Sequence, residues 1–356
     1  MWPTQIPHTA VTGRWSERGL RARLVATFGI VTLVLSASIA TWLSIRSGQP
    51  ASPVYGSARL TPGAIWTWDG ASYTLMPAAG PGPSSNDADM AYDQSRGVVV
   101  LWDHGCTRIV MGFQGGCVAE VNRTWTWDGQ GWKGFSTKST PTPVGQGAML
   151  YDTKLGRVVY VNGLGQVWSW TGTDWISLAT PGAPSVAEQD SEATSSTFAV
   201  GYDEAHGLLM FVVSTGTWSW DGSSWTEVGH GIDVAEARPD AHLIYDRAHD
   251  QLVYVGSRST WTWDGGRWQQ HDQPAIASGT LGYAPAPATV MLVQQDSSAC
   301  DHTACRTTTW TWDSKTWTQL AINNVPLLPL TRSGASALPM ASDEARGVTV
   351  LFVSAS

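Results

Sequence analysis

Eight acidic residues stand in polar stretches away from the apolar runs of the chain: Asp87, Asp89, Glu188, Asp190, Glu192, Asp233, Glu236 and Asp240. Carboxylates so placed have three chemical uses. Two of them about 5–9.5 Å apart can cleave a glycosidic bond. Several together can collect a hard cation, and any one can accept hydrogen bonds from a sugar hydroxyl or a basic side chain. His104, Asp301 and His302 lie next to cysteines, which fall in two close pairs, Cys106 with Cys117 and Cys300 with Cys305. A His beside a Cys invites zinc, but neither pair has a second clear set of partners. Two local pairs fit disulfides in an oxidising compartment better. The chain has no phosphate-cradling Gly loop, no His-Glu-x-x-His and no Gly-x-Ser-x-Gly, so no catalytic residue, metal or cofactor is assigned. The candidate binding face comprises Asp87, Asp89, His104, Asp190, Glu192, Asp233, Glu236, Asp240, Asp301 and His302. Whether it is a solvated rim or a ligand site stays open at this level.

Those residues must be positioned by a repeat. Trp-x-Trp, a polar turn and an aromatic seven residues after the first Trp recur six times, beginning at Trp66, Trp125, Trp168, Trp218, Trp261 and Trp310. Successive copies are 59, 43, 50, 43 and 49 residues apart, the spacing of β-propeller blades. Each copy reads as a β-hairpin. A two-residue type I′ turn at Asp128-Gly129 predicts that Trp125 faces Trp132 across the ladder. A second hairpin alternates with the first: Tyr92-Asp93…Gly97 followed by an apolar run is echoed from Tyr151, Tyr202, Tyr245, Tyr283 and Ser342. The continuous run is what a strand covered on both faces requires. Two hairpins make a four-stranded blade. The region opens with a Trp-x-Trp hairpin and ends with an orphan Tyr-Asp-type hairpin, so the two halves can join in one sheet and close the ring. The fold class is an all-β, six-bladed propeller, with seven blades as the alternative because the 59-residue interval has spare length.

The apolar second strands, the aromatics at fixed spacing and the turn pattern resemble the kelch-repeat propellers and the central propeller of the galactose oxidase family, over about residues 61–356. The doublet Gly-Gly of that family is reduced here to Gly105, Gly163, Gly216 and Gly256. The resemblance implies a kelch-like ring but does not carry copper chemistry, since every Cys is better explained by pairing. In such a ring the strand 4–1 and strand 2–3 connections emerge on one face and the tight turns on the other. The acidic candidates therefore fall on the face with the long, variable loops, where binding usually sits.

Leu24–Ile45 is a 22-residue stretch without a charge, long enough to span a bilayer. Arg14, Arg18, Arg21 and Arg23 precede it and only Arg46 directly follows. This predicts a cytoplasmic tail over 1–23, an anchor over 24–45, a linker over 46–60 and a propeller over 61–356 outside the cell. A cleavable signal peptide with Ser38 and Ala40 at its site is the competing reading. The chain has 21 basic and 29 acidic residues; five Arg and one Glu fall in 1–46, leaving 16 basic and 28 acidic beyond. An acidic propeller argues against a nucleic-acid partner. The expected function is a plasma-membrane-anchored, non-enzymatic binding or scaffolding module for a protein or glycan partner. The alternative is an extracytoplasmic carbohydrate-active enzyme using the acidic loop residues.

Overall fold

The computed structural model describes residues 58–59, 63–77, 81–84, 87–110, 116–144, 147–184, 198–232, 236, 243–272, 279–301, 304–329 and 338–353, with the backbone alone for 58–59, 106–110, 116–119 and 329. Six four-stranded blades form the ring, the last with one added strand. Blade 1 is composite: Met340–Asp343 and Val348–Val353 pair with Ala64–Trp68 and Tyr73–Leu75 in one sheet, in that order. Blade 2 holds Ala88–Asp93, Val98–Asp103, Arg123–Trp127 and Trp132–Phe135. Blades 3, 4, 5 and 6 begin at Ala148, Ala199, Leu243 and Gly279. The first strands of neighbouring blades touch in succession from blade 1 round to blade 6 and back, so the circle is complete. Six blades with both ends of the propeller region in one sheet agree with the sequence reading, and the ring leaves no unpaired edge at the closure.

The spare length of the first interval is an insertion and not a blade. Cys106–Val110 and Gly116–Glu120 form a hairpin between the second and third strands of blade 2, and Ala58–Arg59 adds a third strand to it. Blade 6 is elaborated at the same point: Thr289–Cys300 and Ala304–Trp312 run long, and Leu327–Pro329 pairs with the extension. Cys300 and Cys305 face each other at its tip in a disulfide. Cys117 lies opposite Ile109 and Cys106 opposite Glu120 in the other hairpin; the side chains of that cysteine pair lie outside the described residues.

The Trp hairpin departs from expectation in its register. Trp127 pairs with Trp132, Trp170 with Trp175, Trp220 with Trp225, Trp263 with Trp268, Trp312 with Trp317 and Trp68 with Tyr73. The loop is thus four residues long, and the second Trp, not the first, meets the later aromatic. The cause is the Asp side chain. Asp128 Oδ1 accepts the N–H groups of Gln130 and Gly131 at 2.9 and 3.0 Å, an Asx-type closure repeated at Asp69, Asp221, Asp264 and Asp313. A type I′ turn needs positive φ at both central residues, whereas only the Gly takes it here, at 95° in Gly129.

The second strands carry the core. Val99 and Leu101 pack towards blade 1, while Val100 and Trp102 pack towards blade 3. One apolar cluster fills each of the six blade interfaces. The later aromatic also ties blades together. The indole N–H of Trp175 donates to Thr124 Oγ1 of the preceding blade at 2.8 Å, and Trp268 and Trp317 repeat this to Thr217 and Thr260. The Tyr73 hydroxyl sits 2.8 Å from Thr309 Oγ1, and Trp225 donates to Gly165 O. These bonds, buried in all but the partly covered Trp268 pair, contribute about 1 kcal/mol each beyond the packing of the rings.

Candidate functional site

The structure brings together three of the residues chosen from sequence, Asp87, Asp89 and His104, at the loop face of blade 2. Asp89 stands opposite Trp102 in the register of the first two strands, and His104 leaves the second strand one residue after Asp103. The His104 N–H donates to Asp87 O at 3.3 Å, which holds the two chain segments side by side. His104 Nε2 lies 2.9 Å from Asp89 Oδ2, and Nδ1 lies 4.0 Å from Asp87 Oδ2. The imidazole rests on the Trp102 indole, with ring centroids 4.2 Å apart. Burial alone would depress the His104 pKa, but the hydrogen bond to Asp89 and the charges of Asp89, Asp87 and Asp103 outweigh it and hold the imidazole above its ordinary value. Asp89 is mostly covered, whereas the Asp87 side chain is 66% exposed. The atoms crowding Asp87 push its carboxyl upward, a shift with little consequence at that exposure. The cluster presents an outward carboxylate fixed from behind by a shielded imidazole.

The other candidates fall elsewhere. Glu236 is buried: its Oε2 accepts the N–H groups of Arg258 and Ser259 at 2.9 and 3.1 Å, and its carbonyl accepts the Tyr254 hydroxyl at 2.8 Å. It closes the strand 2–3 turn of blade 5 from inside. Asp301 is exposed at the tip of the Cys300–Cys305 hairpin, where Oδ1 accepts the Ala304 N–H. Glu188, Asp190, Glu192, Asp233, Asp240 and His302 lie outside the described residues. Among the described residues no three His, Cys, Asp or Glu are grouped to hold a metal ion.

On the opposite face the tight turns interlock. The Asp that ends each first strand is buried in blades 1 to 5: Asp343, Asp93, Asp152, Asp203 and Asp246. In blade 2 its carboxylate accepts the Arg96 N–H and pairs with the Arg96 guanidinium at 2.7 Å. Arg96 Nη2 then donates to Thr171 O of the blade 3 turn at 2.6 Å. Arg346 reaches from Asp343 to Asp128 O of blade 2 in the same way, and Lys154 Nζ to Asp221 O of blade 4. The turn Gly makes room for this clasp: a Cβ on Gly172 would come within 2.6 Å of Arg96 Nε.

A site missed by sequence reasoning lies where the axial channel meets this face. Glu204, Arg247 and Glu344 each directly follow the buried Asp of their blade. Arg247 Nε and Nη2 bind Glu204 at 2.7 and 2.8 Å, and Nη2 binds Glu344 Oε1 at 2.8 Å across blade 6, where Pro285 takes the equivalent place. The guanidinium lies 4.8 Å over the Tyr283 ring. The three charged side chains are 28–29% exposed. Burial pushes the Glu344 carboxyl upward despite the opposing pull of Arg247. Beside them a cavity of about 120 Å³ runs among first-strand residues, Met90, Met149, Leu281 and Met340 included. The available signal was the shared offset of these three residues within the repeat, not their separation in the chain.

No family model and no curated protein matches the chain. Among solved structures it is similar to a protein of unknown function from Bacteroides thetaiotaomicron, at TM-score 0.49 and 11% identity over 84% of this chain and 76% of that one. A putative TolB from Agrobacterium tumefaciens matches at TM-score 0.47 and 12% identity, over 82% and 98%. An auxiliary nutrient binding protein from Bacteroides ovatus matches at TM-score 0.43 and 14% identity, over 82% and 76%. The blade count stands on the sheet order itself. Among the described residues no helix is long and apolar enough to cross a membrane, and the span expected over 24–45 lies outside them.

Proposed function

We propose that this protein is a non-enzymatic binding or scaffolding module, a kelch-like propeller anchored in the plasma membrane through residues 24–45 and offering its loop face, outside the cell, to a protein or glycan partner. The observation that carries the reading is the unequal use of carboxylates on the two faces. Those ending the first strands are buried and consumed by the ring itself. Asp87 is instead held in place by its neighbours with its carboxylate turned to solvent. Loops on a rigid scaffold with fixed acceptors suit recognition of sugar hydroxyls or basic side chains. The Arg asymmetry around 24–45 supports the orientation, and the Cys300–Cys305 disulfide accords with an oxidising compartment.

Two experiments test this. A reporter active only in the cytoplasm, fused after Ser356, should stay silent; a strong signal would overturn the orientation. The full-length protein in detergent, probed on a glycan array and by cell-surface cross-linking, should give a signal that falls in Asp87→Asn with the melting temperature unchanged. An equal signal from the variant would remove the loop-face site, and release of sugar fragments from the array would overturn the non-enzymatic assignment.

A further inference from the structure

The ion triad at the channel end is unbalanced in charge and in hydrogen bonds. Two carboxylates face one guanidinium, so the group carries one net negative charge when all three are ionised. Of the four carboxylate oxygens, three bind Arg247: both of Glu204 and Oε1 of Glu344. The fourth, Glu344 Oε2, is buried with no partner among the described residues. An ionised carboxylate accepts only, so this oxygen is an acceptor open to a donor that enters beside it. The Glu344 carboxyl is raised for the same reason, since burial there is incompletely compensated.

The adjoining cavity sets the other requirements on an occupant. Its volume of about 120 Å³ exceeds what a single water needs. Its walls are mixed in kind: Met90, Met149, Leu281 and Met340 are apolar, Gln94 is polar, and Tyr283 stands at the charged end under Arg247. Tyr283 already accepts one cation, Arg247, on its face. A ligand that restores the balance is a donor, positively charged, small, and attached to an apolar body of a few carbons. We propose that the channel end is a second binding site, separate from the loop face, for a small primary ammonium compound whose N–H groups engage Glu344 Oε2 and whose hydrocarbon lies along the methionine-lined wall. An anion is disfavoured there because the triad already carries one net negative charge.

The three methionine methyls report occupancy directly. The full-length protein, labelled with ¹³C at the methionine methyls, would be titrated with n-butylammonium, and in parallel with n-butanol, tetramethylammonium and butyrate. Saturable shifts of Met90, Met149 and Met340 are expected with n-butylammonium, in the millimolar range usual for so small a ligand. Affinity should fall about tenfold in Glu344→Gln, where one hydrogen bond to a charged acceptor is weakened. Butanol and tetramethylammonium, each lacking either the charge or the donors, should bind less tightly, and butyrate should leave the three methyls unmoved. Glu204→Gln serves as a second variant should the first fail to fold, with the same direction of effect. Preference for butyrate, absence of saturable shifts with the ammonium, or equal affinity in both variants would each overturn the site.

Discussion

The two ends of this ring are built from the same residue types and do opposite things with them. At the tight-turn end, an Asp at the close of the first strand meets its own turn amides, and in two blades an Arg that also grips the next blade. At the loop end, Asp87 and Asp89 flank a single His104, and one carboxylate is left facing water. A carboxylate shared with a neighbouring blade through a cation cannot vary without loosening the ring. One whose side chain is mostly exposed can vary at small cost to the ring, and that freedom is what a binding face needs. The comparison teaches that in a repeat protein a polar position filled by the same residue in nearly every blade belongs to assembly, while positions whose residue changes from blade to blade, at either end, are free for recognition.

The strongest way to break this comparison is to remove a carboxylate from each end. Asp93→Ala leaves the Arg96 guanidinium, the Arg96 N–H and the Ser95 hydroxyl without their acceptor in a buried place, and should cost roughly 3 kcal/mol by denaturant unfolding. Asp301→Ala, at the exposed hairpin tip, should shift stability by about 0.5 kcal/mol or less. Similar losses from the two would mean that the ends do not differ in kind.

A sharper test separates backbone strain from the clasp. Gly172 and Gly222 both adopt φ of 100°, but a Cβ on Gly172 would strike Arg96, whereas a Cβ on Gly222 meets nothing within 4 Å. Gly222→Ala should cost about 1 kcal/mol from φ alone. Gly172→Ala should cost about 1 kcal/mol more because the guanidinium must move off Thr171 O. Equal costs would show that the clasp adds nothing to the ring.

Most of the architecture was legible because each blade repeats its two hairpins, and because the orphan halves at the two ends of the repeat region could only complete one sheet. The Trp hairpin register was not, since Asp-Gly serves both a two-residue turn and an Asx-closed four-residue loop. The choice is made by whether the Asp carboxylate finds two amides, as Asp128 does. The Asp87–Asp89–His104 cluster could be named from sequence because its members are within 18 residues of one another. The Arg247 triad could not be found by proximity, for its partners come from blades 4 and 1. Glu236 looked like a loop carboxylate and proved to be an internal cap, because Gly256 leaves the space its side chain fills: a Cβ there would collide with Glu236.

A smaller effect sharpens the loop end by pH. The His104 pKa is raised in the folded state over its unfolded value of 6.5, by the Asp89 hydrogen bond and the neighbouring charges acting against burial. Its contribution to stability is therefore full below 6.5 and is lost as pH rises through the folded pKa. His104→Gln should flatten this part of the stability–pH curve, with a smaller change than either substitution above. An imidazole titrating below 6.5 by NMR would reverse the sign and remove the proposed support for Asp87.

Amide hydrogen exchange on the intact protein tests the division between the two ends most directly. The turn amides of Gly97, Gly207 and Arg346, bonded to Asp93, Asp203 and Asp343, should exchange on the scale of global unfolding. The loop-end amides of Ser298 and Ala304, held by half-buried Asp296 and exposed Asp301, should exchange by local opening and far faster. Fast exchange at the turns with protection at the loop end would contradict the account, because the clasped face would then be the mobile one.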